Sequence, residues 1–190
     1  MKVFRNVLPL NLALAARDAY LDVSYDHVRQ ERKNHFAKDF DSHEPTMPQN
    51  SELYCTEFWR SNYLATTPLI QDLYNTHIRT IIESMAGSQF SHVDLRCYKL
   101  EAGGHYRIHV DDYVADYGFI LYLSREWRWD WGGLLMTLDP DYQAQAEIPE
   151  FNKLVVMDHA SGQSPHWVTP VAPWALEPRF TLVGFLRKDT

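Results

Sequence analysis

The sequence predicts a mainly β protein with flanking α-helices, built as an antiparallel sandwich or barrel. Three observations carry this. Seven short apolar segments crowd the second half of the chain with no helix between them, which excludes an alternating α/β sheet. The first half reads as helices and irregular polar stretches. Hydrophobic residues make up 45% of the 190 positions and charged residues 23%, a globular balance that argues against disorder. One domain over 1–190 is expected, with residues 1–90 as helical or irregular support and 91–190 as the β core.

Taken in order, Asn11 is placed to cap a helix running through Leu12, Leu14, Ala15, Ala16 and Ala19 to about Leu21. From Glu31 to Glu52 apolar periodicity gives way to Asn, Asp, Ser, Pro and Lys, the composition of a long loop and a candidate lid. Thr67–Pro68 marks the next helix by a cap and a proline at the first helical position. Leu69, Ile70, Leu73, Ile78, Ile81, Ile82 and Met85 follow on one face, and Gly87 stops the run. Strands are then expected at Ser91–Leu100, His105–Asp111, Gly118–Leu123, Gly133–Leu138, Lys153–Asp158, His166–Val168 and Arg179–Arg187.

Charge and cysteine content narrow the function. Eighteen basic against 25 acidic residues leave a net charge of −7, a poor basis for gripping phosphate backbones, so nucleic acid is not an expected partner. The first 22 residues lack an export signal and no apolar run is long enough to span a bilayer, so a soluble cytoplasmic protein is expected. Cys55 and Cys97 are accordingly expected as reduced thiols.

Within the strand half, His109-Val110-Asp111 sets an imidazole and a carboxylate at i and i+2, on one face of a strand. By itself this spacing arises often by chance. His166 lies just before a short apolar strand, and Arg179 opens the final one. Two histidines and one carboxylate form the facial triad of non-haem Fe(II) oxygenases, with three coordination positions left open. An arginine on a neighbouring strand would clamp a carboxylate through two parallel hydrogen bonds.

Beyond the triad, Arg96-Cys97-Tyr98 precedes a glycine-containing turn, and Tyr106 stands in Tyr-x-x-His-Val-Asp. Ile120-Leu121-Tyr122-Leu123 leads into Glu126-Trp127, then Gly132-Gly133-Leu134-Leu135, Pro165-His166-Trp167-Val168 and the arginine strand. From about Ser91 to Arg187 this order resembles the 2-oxoglutarate- and Fe(II)-dependent oxygenases, in their prolyl-hydroxylase branch. The resemblance implies a double-stranded β-helix (a jelly roll, cupin-like). It implies iron held by His109, Asp111 and His166, with Arg179 pairing the C5 carboxylate of 2-oxoglutarate. Tyr122 and Tyr98 would hydrogen-bond that cosubstrate, Thr181 would add a hydroxyl, and Val168, Leu135 and Phe185 would wall the pocket. The chain departs from the family in a longer stretch from Ala172 to Pro178, which puts the register of the last loop in question.

The implied reaction consumes 2-oxoglutarate and O2, with ascorbate in support, and releases succinate and carbon dioxide. Retention of Asp111 favours hydroxylation over halogenation; desaturation and ring closure use the same ligands. A prolyl residue in a peptide or protein is the expected substrate, with a free amino acid or other small biosynthetic molecule as the alternative. A non-catalytic jelly-roll module binding a metal or sugar would have no need of Arg179 and Tyr122.

The other candidates have plainer readings. Asp112 competes with Asp111 but falls on the opposite strand face. His105 is expected at a turn or pocket edge and His159 in a solvated loop. His27, His35, His43, His77 and His92 are expected on the surface or at caps. Trp127, Trp129 and Trp131 are read as bracing a loop, with a substrate groove as the competing role. Arg107 and Arg128 are read as solvated.

Overall fold

Continuous apolar runs in the second half turn into strands buried on both faces, because helices cover one side of the resulting sheet and a second sheet covers the other. The computed structural model describes residues 1–31, 55–111, 114–139, 141, 143–160 and 165–188. Among them the strands are β1 (Lys2–Arg5), β2 (Asp26–Glu31), β3 (Cys55–Ser61), β4 (Phe90–Leu100), β5 (Tyr106–His109) and β6 (Tyr117–Tyr122). They continue as β7 (Leu135–Leu138), β8 (Ala144–Glu147), β9 (Lys153–Asp158), β10 (His166–Val168) and β11 (Arg179–Lys188). A seven-stranded sheet has the order β1-β9-β6-β11-β4-β3-β2, and a four-stranded sheet the order β5-β10-β7-β8. Neighbouring strands in both are antiparallel, giving the double-stranded β-helix.

All seven expected strands are present, those at Lys153–Asp158 and His166–Val168 with the expected bounds. The first half differs from expectation: β1, β2 and β3 all join the large sheet instead of forming irregular support. Their sequences, KVFR, DHVRQE and CTEFWRS, show little apolar alternation, and a pairing partner rather than intrinsic preference makes them strands. At the sheet's edge, β2 carries exposed Asp26, His27 and Arg29, which suits a strand with one open side. The polar edge strand β8 (AQAE) escapes sequence reading for the same reason. The expected loop over 31–52 lies outside the described residues except for Glu31, which ends β2.

The helices pack on the outer face of the large sheet. Pro9, not Asn11, precedes α1 (Leu10–Leu21), so the proposed asparagine cap sits inside the first turn. After a short α2 (Asn62–Ala65), α3 (Pro68–Leu73) runs through a π-turn at Tyr74–Ile78 into α4 (Arg79–Ala86), which ends at Gly87 with φ 64°. The π-turn accommodates the five-residue step from Leu73 to Ile78 in an otherwise three-or-four pattern, keeping both fully buried. Ile70, Leu73, Ile78 and Ile82 meet Cys97, Leu121, Leu154 and Leu182 in one core. Each such side chain stabilises the fold by roughly 1.5–3 kcal/mol through burial. A second core, with Tyr98, Tyr122, Leu135, Val155 and Val168, fills the space between the two sheets.

Candidate active site

The functional side chains project into the space between the sheets, from two sources. On the large sheet the register lines up Arg60 of β3, Tyr98 of β4, Thr181 of β11 and Tyr122 of β6 as one row across four strands. Two residues along β11 in either direction stand Arg179, opposite Leu100, and Val183, opposite Arg96 and Ile120. On the small sheet, His109 of β5 pairs directly with His166 of β10. A cavity of about 320 Å³ lies between them.

His109, Asp111 and His166 offer ligand atoms within 4.8 Å of one another. Their ring centroids put the two imidazoles 4.2 Å apart. Asp111 Oδ2 lies 3.4 Å from His166 Nε2 and 3.7 Å from His109 Nε2. His109 Nδ1 is 2.6 Å from the Arg107 carbonyl; a proton on Nδ1 donated there leaves Nε2 as the lone-pair nitrogen facing the other two ligands. Burial pushes the Asp111 carboxyl up, but the His166 hydrogen bond and the imidazoles of His109, His166 and His159 outweigh it. The carboxyl is held well below its usual range, in the ionised form a cation requires.

Asp111 does not stand on the strand where it was expected. Strand β5 ends at His109, and Asp111 lies beyond it, in a turn where its carbonyl accepts from the amides of Val114 and Ala115. Convergence with His109 is therefore set by that turn and not by strand alternation. Asp112 lies outside the described residues. His159 also departs from expectation: it is buried and packs 5.9 Å from the His166 ring. Gly118 makes room for it, since a Cβ at that position would come 2.6 Å from His159 Nε2.

At the other end of the cavity Arg179 is 2% exposed, yet its Nε and Nη2 have no hydrogen-bond partner. Its guanidinium lies 5.0 Å from the Tyr122 ring centroid. Burial pushes the group below its ordinary value, against the opposing effect of the Tyr122 and Tyr106 phenols. It remains a cation, because an arginine ordinarily titrates above 12. Tyr122 is fully buried beneath it with an unpartnered hydroxyl, and burial pushes that phenol up to about 12. A buried cation with two idle donors, beside an idle hydroxyl, fits a carboxylate ligand: these atoms bear a desolvation cost that only such a partner offsets.

Of the expected pocket residues, Tyr98, Thr181, Val168, Leu135 and Phe185 line the cavity with Arg179, while Tyr122 stands behind it. The long stretch from Ala172 to Pro178 leaves the arginine in register, because β11 is clamped at its start. Buried Ser124 accepts a hydrogen bond from the Phe180 amide at 2.7 Å and donates to the Pro178 carbonyl at 2.9 Å, straddling Arg179. From α1, Tyr20 donates to the Thr181 carbonyl at 2.8 Å.

Among the cavity residues to which the sequence gives no site role are Thr56, Phe58 and Arg60 of β3, and Arg96. Nothing in β3 marks it as a strand, so its facing was not legible. The sequence marks Tyr106 only as part of the Tyr-x-x-His-Val-Asp motif. Three positions before His109 it should face away on a regular strand, but a register shift between His166 and Val168 brings it opposite Val168 and into the cavity. There its hydroxyl is buried and unpartnered, and its ring stacks on Phe58 at 4.9 Å. Arg107, read as solvated, also lines the cavity; Arg128 pairs with Asp130 on the surface. Trp127 and Trp131 are buried against each other at 5.4 Å and brace the loop, whereas Trp129 is 62% exposed; none lines the cavity. Cys97 is a buried free thiol, and the Cys55 side chain lies outside the described ones.

A jelly roll carrying two histidines and an aspartate at one end of a cavity, and a buried unpaired arginine at the other, defines a class of non-haem iron oxygenase. The model of the 2OG-Fe(II) oxygenase superfamily matches residues 93–187, half of the chain, and the protein belongs to that family. It is a 2-oxoglutarate-dependent Fe(II) dioxygenase, using Fe(II), 2-oxoglutarate and O2. Its fold is similar to that of a Pseudomonas putida prolyl-4-hydroxylase, at TM-score 0.67 and 19% identity over 98% of this chain and 92% of that one. A Trichoplax adhaerens prolyl hydroxylase, solved with a hypoxia inducible factor oxygen degradation domain peptide fragment, gives TM-score 0.67 and 12% identity over 97% and 82%. An oxidoreductase of the 2OG-Fe(II) oxygenase family from Burkholderia pseudomallei gives 0.54 and 13% over 92% and 90%. No curated protein matches by sequence. Among the described residues no helix is long and apolar enough to cross a membrane.

Proposed function

We propose that the protein hydroxylates an unactivated C–H bond of a prolyl residue in a peptide or protein. The observation that carries the oxygenase site is Arg179, buried with unpaired donors at the far end of the cavity from the triad. Prolyl chemistry is supported by the likeness to two prolyl hydroxylases and by the aromatic and aliphatic walls formed by Phe58, Tyr106, Val183 and Phe185.

His109 and His166, through Nε2, and Asp111, through its carboxylate, would hold the iron and leave one side of it open. Bound iron and 2-oxoglutarate activate O2, placing one oxygen atom on the substrate and the other in succinate as carbon dioxide leaves. Arg179 would pair the C5 carboxylate of the cosubstrate through two parallel donors, with the Tyr122 hydroxyl as a third. Tyr98 and Thr181 would flank it, and Val168 and Leu135 would exclude water. Carbonyl Arg107 keeps the proton of His109 on Nδ1, so the ligand nitrogen does not need to lose one on metal binding.

The test is succinate release by purified protein with Fe(II), ascorbate and 2-oxoglutarate, alone and with prolyl peptides. Stimulation by peptide is expected. Binding of 2-oxoglutarate without stimulation by any prolyl peptide would discard the prolyl reading and leave the family assignment standing.

A further inference from the structure

We propose, building on that reading, that Arg60 and Arg96 recognise a carboxylate on the substrate next to the residue being oxidised. Both line the catalytic cavity, and both also line an adjoining groove of 550 Å³ with Asn62, Gln71, His92 and Asp94. They are the residues that the two spaces share.

The two arginines differ in how far their charge is already answered. Arg96 is held by Asp94 through Nε at 2.9 Å, leans over the Phe185 ring at 4.7 Å, and reaches the Tyr98 hydroxyl at 3.4 Å. Arg60 is half-buried with Nε out of reach of water and without a hydrogen-bond partner. Among the described residues no carboxylate lies within ion-pair distance of it, although Asp26 stands opposite in the β2 register. Of the residues lining the cavity, Asp111 alone carries a carboxylate, and it faces the two histidines.

Charge balance then separates Arg60 from the cosubstrate. Iron(II), the Asp111 carboxylate, the Arg179 guanidinium and doubly charged 2-oxoglutarate sum to zero. Arg60, which lines the same cavity, stays uncompensated after all four are in place. A second anion is what this wall lacks.

Groove geometry bears on the source of that anion. β3 pairs with β4 only from Trp59 to Ser61 against Cys97 to Lys99. From Phe90 to Arg96, β4 has β11 on one side and, among the described residues, no strand on the other. The groove lies between this stretch of β4, from His92 to Arg96, and the residues Asn62 to Gln71, and gives room for an extended chain. An acidic side chain flanking the target proline fits better than the carboxylate of a free amino acid, which would leave the groove empty.

The experiment uses the whole protein loaded with Mn(II) and 2-oxoglutarate, so that binding is read without turnover. Probes are prolyl tetrapeptides with Glu or Gln beside proline, and free L-amino acids with their matching amides, followed by saturation-transfer NMR. Acidic peptides are expected to bind at least about tenfold more tightly than their Gln counterparts, the worth of one charge-assisted contact. Arg60→Met should erase that preference and Arg60→Glu should invert it, whereas Arg179→Met should instead weaken 2-oxoglutarate. A preference confined to free acids over amides would support the carboxylate and reassign its source. Equal binding of acids and neutral counterparts, or no binding by any acid, overturns the proposal. So does a loss of 2-oxoglutarate affinity in Arg60→Met as large as the loss of acid preference. Wild-type protein that fails to bind 2-oxoglutarate overturns the oxygenase site as well; with it bound, failure of acid preference overturns this inference alone.

Discussion

The two ends of the cavity are built in opposite ways. The triad sits on a short, bulged pair of strands, and its aspartate lies past the last strand residue. Arg179 opens a ten-residue strand paired on both sides, clamped by Ser124 and Tyr20 and backed by a helical layer. As ligands of a metal the three would tolerate such a site, because a cation would draw them together and contribute binding energy to folding. A buried arginine cannot rely on its ligand for placement, since its charge must already be held in position when no ligand is present. Rigid register at one end and an irregular turn at the other follow from that difference.

Breaking the triad should have the largest effect on chemistry. His109→Ala or Asp111→Ala should lower 2-oxoglutarate turnover by about a thousandfold or more, several kcal/mol of lost stabilisation. Mn(II) titration should show the loss directly, with the apo protein's thermal midpoint little changed. At the opposite end, Arg179→Met should raise the 2-oxoglutarate dissociation constant by roughly 30- to 150-fold, about 2–3 kcal/mol for a bidentate charged contact. Because the arginine is an unpaired buried charge in the apo protein, the variant should be at least as heat-stable as the parent. A lower apo midpoint would mean that Arg179 has structural partners.

The clamp distinguishes placement from contact. Ser124→Ala leaves the Phe180 amide without its acceptor and should cost about 1–3 kcal/mol of stability. Weaker 2-oxoglutarate binding should accompany it, while Mn(II) binding holds; equal losses of both would dissolve the contrast between the two ends. The smallest effect concerns the outer face of the large sheet. Burial pushes the Cys97 thiol up to about 12, so in a Cys55→Ser background it should resist a thiol reagent at pH 8 until denaturant opens the sheet. Rapid labelling of native protein would show that the helical layer opens locally.

Much of the C-terminal half was legible because doubly covered strands read as apolar runs, and because His109, Asp111, His166 and Arg179 have few alternative uses in that order. Strands β1, β2, β3 and β8 were not legible: β1, β2 and β8 lie at sheet edges, where no apolar alternation is needed, and β3, between β4 and β2, becomes a strand only through its partners. Residues whose role depends on them, above all Arg60, stayed hidden with them. Tyr106 was obscured by a bulge, and His159 by the room that Gly118 leaves for it.

By itself the sequence determined residue chemistry, seven of the eight strands described in the β half and the family pattern, all of which follow from local composition and spacing. Tertiary structure decided which side chains share the cavity: the turn that carries Asp111, the register shift that turns Tyr106 inward, and the β3 pairing that sets Arg60 beside Tyr98. Those depend on contacts between distant segments, and local preference does not encode a register that only a partner strand enforces.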